Sequence, residues 1–203
     1  MEQSGSMAQA GDDAEASVSP PEEVPSGFWA AIDGIDDRVD ELVGTIRGNP
    51  TLDRIFYTAA ELGDWSLVWH LFAAAGAVRS GRLQPNAIRV IAALGAESAL
   101  VNGVFKSLVG RKRPVAEYER PLHLRIPRTS SFPSGHASSA TMAALLLIDK
   151  DPALRAVYAT TAATVAFSRS YVKIHHASDI VGGIAVGWGL ARAIRAVWPL
   201  SQP

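Results

Sequence analysis

From Phe28 onward, apolar and polar positions alternate along the chain with the period of a helix. Between Phe28 and Ile46 large apolar residues recur every three or four positions, and five carboxylates fill the gaps: Asp33, Asp36, Asp37, Asp40 and Glu41. The pattern predicts an amphipathic helix within residues 27–53, with an acidic outer face and an end near Gly48–Pro50. So many carboxylates exclude a membrane span. We interpret the segment as a helix packed on the rest of the chain or lying at a membrane interface; the alternative is an oligomerisation or partner-binding helix.

The remainder of the chain, residues 54–203, contains five apolar stretches, at approximately 55–78, 86–109, 134–148, 153–168 and 178–198. The first two and the last are long enough to cross a hydrocarbon core of about 30 Å. All five are rich in the small residues that let membrane helices pack closely. Interfacial anchors are expected among four tryptophans, Trp65, Trp69, Trp188 and Trp198. The predicted fold is therefore all-α, a membrane bundle of five or six helices that follows the amphipathic helix.

Charge divides the chain into an acidic arm and a basic body. The net charge is −1, but residues 1–53 hold 12 of the 20 acidic residues and only two basic ones, which leaves +9 for residues 54–203. Residues 1–26 are rich in Ser, Ala, Gly, Pro, Asp and Glu, so we predict a disordered acidic tail. The tail lacks the apolar stretch of a signal peptide. The chain has no cysteine, which excludes disulfides and thiolate chemistry.

Several ionisable residues lie inside the apolar stretches. Glu61, Asp64 and Arg89 are near the ends of their stretches, which favours simple placement at the membrane interface over a functional role. Glu97 lies deeper and is expected to hydrogen-bond another helix, with a part in the chemistry as the less favoured alternative.

Three polar clusters stand out against this apolar background: Lys106–Pro114, Ser131–His136 and Ser168–Asp179. Each has a structural explanation when taken alone: the first reads as the positive flank of a membrane helix and the second as a helix cap. The second also places free backbone N–H groups where a phosphate would bind. In the third, a carboxylate four residues after a histidine shares its helical face and can orient the imidazole.

The predicted topology brings these clusters together. They fall at the end of the second stretch, the start of the third, and the turn between the fourth and fifth. Because short connections join antiparallel helices, all three lie at one face of the bundle. Two histidines, a carboxylate and three cations then surround one site of the size of a phosphate. A purely structural interpretation does not account for this convergence.

The motifs Lys106-x6-Arg113-Pro114, Pro133-Ser134-Gly135-His136 and Ser168-Arg169-x5-His175-x3-Asp179 together resemble the three signatures of the type 2 phosphatidic acid phosphatase (PAP2) superfamily. No motif position departs from the pattern, and the resemblance covers roughly residues 55–198 of the predicted phosphatase domain, residues 54–203. It implies that His175 is a nucleophile that forms a phosphohistidine, oriented by Asp179, and that His136 is the general acid and base. The phosphate-binding residues it implies are Lys106, Arg113, Ser134, Gly135 and Arg169. It implies no metal and no other cofactor.

The remaining polar residues near the motifs are given lesser roles. His176 breaks the motif spacing and is expected to play at most a supporting part. Arg111 and Lys112 are interpreted as flank charges. The loop between the first two clusters is expected either to hold a substrate headgroup or to carry solvated charge, through His123, Arg120, Arg125 and Arg128.

The resemblance points to an amphiphilic substrate, with its phosphate in water and its tail in lipid. Expected partners are membrane lipids and a lipid phosphate, with a homo-oligomer possible and no nucleic acid. An Arg-rich, Lys-poor composition indicates a high-GC bacterium, and small actinobacterial members of the family suggest decaprenylphosphoryl-5-phosphoribose as substrate. Undecaprenyl pyrophosphate, phosphatidic acid and phosphatidylglycerophosphate are the alternatives.

With five spans, the acidic arm and the site share one face of the bacterial inner membrane, predicted to be the cytosolic one. Two other classes stay open. One is a soluble haloperoxidase, against which the five apolar stretches argue. The other is a non-catalytic lipid-binding or scaffold protein, against which the complete set of catalytic groups argues.

Overall fold

The chain folds into helices joined by short turns and one long loop. The computed structural model describes residues 27–80 and 84–200, and within these ranges it contains helices and no strands, as expected for the all-α class. The helices are α1 (Gly27–Gly44), α2 (Pro50–Gly63), α3 (Leu67–Ser80), α4 (Pro85–Leu100), α5 (Lys106–Val109), α6 (Gly135–Ile148), α7 (Arg155–Tyr171) and α8 (Ala177–Val197). A π-helical turn at Val101–Phe105 joins α4 to α5 in one continuous helix. The predicted acidic tail, residues 1–26, lies outside the described residues.

Helix α6 forms the centre of the bundle. It packs against α8, α7 and α4, and it is apolar on nearly every side, as expected of a helix enclosed by others. Its side chains Met142 and Leu146 are buried together with Trp69 from α3, Val90 from α4 and Val165 from α7. The core of the bundle is therefore built around the helix that begins directly after the second sequence cluster.

Two glycines of α8 bring its backbone against that of α6. A Cβ atom at Gly183 or Gly187 would overlap the carbonyl oxygen of Ser134 or Ser138, respectively. Small residues at such positions let two membrane helices approach closely. At the same end, the Ser134 N–H donates to the Asp179 carbonyl oxygen at 3.0 Å. The first turns of α6 and α8 are thus fixed side by side.

We expect Gly187→Ala to destabilise the protein by about 1–3 kcal/mol, since the added methyl group must push α8 away from the α6 backbone. Gly189→Ala is the matched control, because nothing lies within 4 Å of a Cβ atom at that position on the same helix. Thermal unfolding of the detergent-solubilised variants checks the prediction. Equal unfolding temperatures for the two variants would contradict it.

The two ends of the bundle are marked by different polar groups. At one end, Arg89 near the start of α4 is buried and pairs with Asp149, just after α6, at 2.7 Å. Arg195 in the last turn of α8 contacts the same carboxylate at 2.8 Å. The expectation that Arg89 lies simply at the interface is therefore wrong: it is an internal ion pair. The opposite end holds the end of α5 and the starts of α6 and α8, where the three clusters lie.

Two of the helices are long and apolar enough to cross a membrane, namely Pro85–Val109 and Ala177–Val197, and α6 is a shorter apolar helix. This count refers to residues 27–80 and 84–200. The expectation of one continuous helix at 55–78 is wrong, because the backbone breaks after α2, where Trp65 and Ser66 have φ angles of 56° and 57°. The break turns Asp64 toward the bundle interior. The exact number of spans stays a prediction.

Helix α1 packs on the bundle with one of its carboxylates, Asp36, turned inward. Asp36 is 3% exposed, whereas Ile35 and Leu42 are 60% and 70% exposed. The expectation of an acidic outer face is thus wrong for Asp36, although Asp37 and Glu41 do face outward. The reason is that Asp36 finds hydrogen-bond donors at the start of α8, where Ser178 N–H lies 2.8 Å from its Oδ1. Helix α1 therefore lies at the same end of the bundle as the three clusters.

Candidate active site

All of the sequence-predicted site residues meet at this end of the bundle. Lys106 begins α5, Arg113 lies in the loop after it, and Ser134 caps α6, whose first residues are Gly135 and His136. Arg169 is in the last turn of α7, His175 is in the turn that follows, and Asp179 is in the first turn of α8. A cavity of about 600 Å³ opens between them, and five of the eight line it: Lys106, Gly135, His136, Arg169 and His175.

The contacts of His175 define which nitrogen carries the proton. Nη1 of Arg113 lies 3.1 Å from Nε2 of the imidazole, and Nδ1 lies 3.5 Å from Oδ2 of Asp179. Because a guanidinium only donates, Nε2 must be the acceptor and carries the lone pair. The proton then resides on Nδ1, on the side of the carboxylate. Nε2 is thus the ring nitrogen whose lone pair is available to a ligand.

His175 is held as a neutral imidazole. Burial lowers the pKa of His175 to about 3, helped by the charges of Arg169 and Arg113 and opposed by the hydrogen bond to Asp179. A neutral ring keeps a free lone pair at physiological pH, which a nucleophile needs.

Asp179 is fully buried and accepts hydrogen bonds on both oxygens. Oδ2 receives the backbone N–H of His176 at 2.9 Å and lies 3.2 Å from its Nδ1, so His176 caps α8 in a supporting role. Oδ1 receives a hydrogen bond from Nη1 of Arg111 at 2.9 Å. Arg111 is therefore not a flank charge, as the sequence suggested. Its position two residues before Arg113 gives no signal of this contact, which spans 68 residues.

Two of the three predicted cations are anchored by the surrounding chain. Lys106 Nζ donates to Asn102 Oδ1 at 2.8 Å, one helical turn earlier. The Arg113 guanidinium donates to the carbonyl oxygens of Thr129, Ser130 and Ile174 at 3.0–3.1 Å. Hydrogen bonds thus hold each cation in place. The Lys106 ammonium group lines the cavity, and the Arg113 guanidinium lies beside His175, which also lines it.

Arg169 is the third cation and the least satisfied. Its side chain is 0% exposed, and Nη1 reaches only the Ala60 carbonyl oxygen, at 3.5 Å. Nε and Nη2 have no hydrogen-bond partner among the residues that the structure describes. Since a buried unpaired charge is costly, an anion in the cavity is the partner that this side chain lacks.

The start of α6 completes the anion site. Ser134 caps the helix, with its Oγ accepting from Ala137 N–H at 3.4 Å. Ser134 is fully buried and does not line the cavity, so its side chain serves the cap. Gly135 does line it, and a Cβ atom there would lie 3.9 Å from Lys106 Nζ. The positive end of the α6 dipole and a lysine therefore face the same space.

His136 has a carboxylate partner that the sequence interpretation missed. Nε2 of His136 lies 2.9 Å from Oδ1 of Asp64. The interfacial placement expected for Asp64 is therefore wrong. Gly63 makes the contact possible, because a side chain there would collide with the imidazole of His136. The available signal was the carboxylate inside an apolar stretch, which marks a functional candidate in a membrane.

Other polar groups line the cavity beyond the motifs. Glu97 on α4 is 4% exposed, and its Oε1 has no partner within the described residues. From the long loop, Arg125 lines the cavity and stacks over Trp65 at 4.8 Å, whereas Arg120 binds the carbonyl oxygens of Val172 and Lys173. Neither His123 nor Arg128 lines the cavity. Of the four headgroup candidates in this loop, only Arg125 therefore faces it. No cluster of three or more His, Cys, Asp or Glu suited to a metal ion occurs within 27–80 and 84–200.

The sequence profile of the PAP2 superfamily matches residues 86–202, more than half of the chain. The chain belongs to the PAP2 superfamily. This PAP2 protein is 34% identical over 131 residues to the decaprenylphosphoryl-5-phosphoribose phosphatase of Mycolicibacterium smegmatis, covering 61% of this chain and 67% of that one.

Two solved structures share the fold of this PAP2 protein. The transmembrane PAP2-type phosphatidylglycerolphosphate phosphatase of Bacillus subtilis aligns with a TM-score of 0.64 and 24% identity, over 82% of this chain and 86% of that one. Aquifex aeolicus LpxE aligns with a TM-score of 0.62 and 21% identity, over 80% and 95%. The chain is thus a PAP2-type phosphatase, a membrane enzyme that acts on a lipid phosphate.

Proposed function

We propose that the protein hydrolyses a lipid phosphomonoester through a phosphohistidine at His175. The observation that carries this proposal is the Nε2 lone pair of His175 beside three cations. In the first step Nε2 attacks phosphorus and the P–O bond to the lipid alcohol breaks. His136 takes up a proton in the substrate complex, where the phosphate adds negative charge beside it and Asp64 lies 2.9 Å away, and gives that proton to the leaving oxygen.

In the second step a water molecule attacks the phosphorus, and neutral His136 takes its proton. The P–N bond breaks, and its electron pair returns to Nε2 of His175. Asp179 holds Nδ1–H throughout and stabilises the positive charge that the ring acquires while it carries the phosphoryl group. Protons and charge therefore balance over one cycle.

The three cations supply most of the stabilisation in this mechanism. A phosphoryl-transfer transition state spreads negative charge over three equatorial oxygens, so fixed donors aimed at those oxygens lower the barrier. Lys106, Arg169 and the first turn of α6 line the cavity directly. Arg113 donates a hydrogen bond to Nε2 of His175 in the free protein. When the substrate binds, the same N–H donates to a phosphoryl oxygen instead, which frees the lone pair of Nε2.

Decaprenylphosphoryl-5-phosphoribose is the substrate that we propose. The 34% identity to the mycobacterial phosphatase supports it. So does Glu97, because a buried carboxylate oxygen without a partner accepts hydrogen bonds from sugar hydroxyls. A pyrophosphate would instead bring more negative charge to this carboxylate. Phosphatidic acid, phosphatidylglycerophosphate and undecaprenyl pyrophosphate are the alternatives, and a non-catalytic lipid-binding role is the alternative of a different class.

A panel of these four lipids, assayed for phosphate release by the purified protein with EDTA present, tests the proposal. We expect the ribose 5-phosphate lipid to give the highest kcat/KM, and activity to survive EDTA because cations of the chain neutralise the phosphate. We expect Glu97→Gln to lower the ratio of kcat/KM for this lipid to kcat/KM for phosphatidic acid by about tenfold. The reason is that the sugar hydroxyl would then donate to a neutral amide and no longer to a carboxylate. Preference for another lipid would overturn the substrate, and no release from any lipid would favour the non-catalytic role.

We further propose that the protein crosses the bacterial inner membrane five times, with the site facing the cytosol. The kinked pair α2–α3 then forms the first crossing, since Asp53 contacts Tyr171 at one end of α7 and Phe72 contacts Tyr158 near the other. The location of α1 at the active-site end supports a shared face for the arm and the site.

Single cysteines in this cysteine-free chain test the orientation. With a membrane-impermeant reagent on intact cells, we expect Lys150→Cys, at the opposite end of the bundle, to be labelled. Ser17→Cys, in the acidic arm, is expected to be labelled only after lysis. The reverse pattern would place the site outside.

A further inference from the structure

The buried carboxylate of Asp36 on α1 lies behind the catalytic pair. Its Oδ1 accepts the Ser178 backbone N–H at 2.8 Å, and its Oδ2 accepts the Ser178 hydroxyl at 2.6 Å. Ser178 is the second residue of α8, so its N–H is one of the donors that a helix start leaves unsatisfied. Asp36 therefore caps, from another helix, the turn that carries Asp179.

Arg111 joins this carboxylate to Asp179. Its Nη2 donates to Asp36 Oδ2 at 2.8 Å and its Nη1 to Asp179 Oδ1 at 2.9 Å. Nη1 also reaches the Ser178 hydroxyl at 2.6 Å. Burial lowers the pKa of Arg111, but hydrogen bonds to Asp36 and Asp179 outweigh it and raise the pKa above its usual value. Arg111 is thus a fixed charge shared between two carboxylates.

Sharing this charge affects the catalytic pair. If Arg111 faced Asp179 alone, its full charge would draw electron density from that carboxylate and weaken the hydrogen bond to His175. Asp36 offsets that charge, helped by Asp33, whose Oδ1 lies 2.8 Å from Nη2. Asp179 then keeps the basicity with which it stabilises a positive imidazole.

We propose that Asp36 is a positioning residue of the active site, acting on Asp179 through Arg111 and Ser178. Helix α1 lies outside residues 86–202, which match the superfamily profile, so this contact involves no residue of the three motifs on its own side. The inference rests on the proposed roles of His175 and Asp179. It makes α1 a part of the catalytic apparatus and not only a packing helix.

The experiment compares Asp36→Asn with Glu41→Gln, an exposed carboxylate on the same helix. Asparagine keeps an oxygen for the Ser178 N–H but turns an amide toward Arg111 and the Ser178 hydroxyl. We expect kcat to fall about tenfold, as when a group that orients a catalytic residue is removed. KM and the inhibition constant of inorganic phosphate are expected to stay within twofold, because Asp36 does not face the cavity. Glu41→Gln should match the wild type.

A double variant tests the route of action. Because Asp36 acts through Arg111 and Ser178 together, Asp36→Asn combined with Arg111→Gln should lose less activity than the product of the two single losses. A double-variant kcat reduced by the full product of the two single losses would overturn the inference. So would a kcat of Asp36→Asn within twofold of the wild type, or an effect of Asp36→Asn mainly on the affinity for phosphate.

Two further variants keep the outcomes distinguishable. If Asp36→Asn does not fold, Ser178→Ala removes only the shared hydroxyl and should lower kcat several-fold at unchanged KM; unchanged kcat would count against the proposal. His175→Ala in the same assay separates the two hypotheses. Its retained turnover would refute the mechanism itself, whereas an inactive His175→Ala beside an unaffected Asp36→Asn would refute only the role of α1.

Discussion

His175→Ala is expected to lower phosphate release from the lipid substrate by at least about 10⁴-fold, since it removes the nitrogen that forms the covalent intermediate in the proposed mechanism. The nucleophilic nitrogen is fixed by its contacts, with Arg113 donating to Nε2 and Asp179 facing Nδ1. Alanine removes both contacts and leaves the helices on either side of the turn in place. Steady-state assays measure turnover, and acid-labile, base-stable labelling by a radioactive phosphate ester measures the phosphohistidine separately.

The matched control for the nucleophile is His123→Ala. His123 is an exposed histidine that does not line the cavity, so its removal should leave turnover within twofold. Loss of both turnover and labelling in His175→Ala alone supports the nucleophile. Turnover retained in His175→Ala would show that another residue, or water directly, attacks the phosphorus.

Arg169→Met is expected to separate stability from activity. The guanidinium is fully buried with Nε and Nη2 unpartnered, so a methionine of similar length removes an uncompensated charge and stabilises the protein by about 1–4 kcal/mol. The same change removes donors aimed at the phosphoryl oxygens and should lower kcat/KM by about 10²–10³-fold. Thermal unfolding and the lipid assay measure the two effects.

Inorganic phosphate provides a second measurement of the same site. It should raise the unfolding temperature of the wild type, because a ligand that binds the folded state stabilises it, and should do so much less in Arg169→Met. Arg155→Met, at the exposed start of the same helix, is the control and should keep both activity and the response to phosphate. A large fall in the stability of Arg169→Met would show that the arginine is structural.

The residues that the motifs contain could be found from sequence because they lie at helix ends. Apolar stretches predicted where helices begin and end, and the alternating direction of successive helices then placed Lys106, His136 and Asp179 at one end of the bundle. Asp64 was missed for a specific reason. Gly63, just before the break at Trp65 and Ser66, is a weak signal because small residues are frequent throughout this stretch, so the apolar pattern was interpreted as one span.

Arg111 and Asp36 were missed for another reason. Hydrophobic periodicity identifies buried positions only when they are apolar, and a carboxylate buried against an arginine looks like a surface carboxylate in sequence. The two side chains are 75 residues apart, and Asp36 and Ser178 are 142 apart, so no local spacing records either contact.

The sequence by itself determined the helical class and the superfamily, and it predicted the eight residues that meet at one end of the bundle, because catalytic groups must recur at fixed spacings to meet a phosphate. Only the tertiary structure decided which groups contact the motif residues. Asp64 pairs with His136, Arg111 pairs with Asp179, and Asp36 pairs with Arg111. Supporting charges need proximity in space but no fixed spacing in the chain, and proximity is settled only when the helices pack.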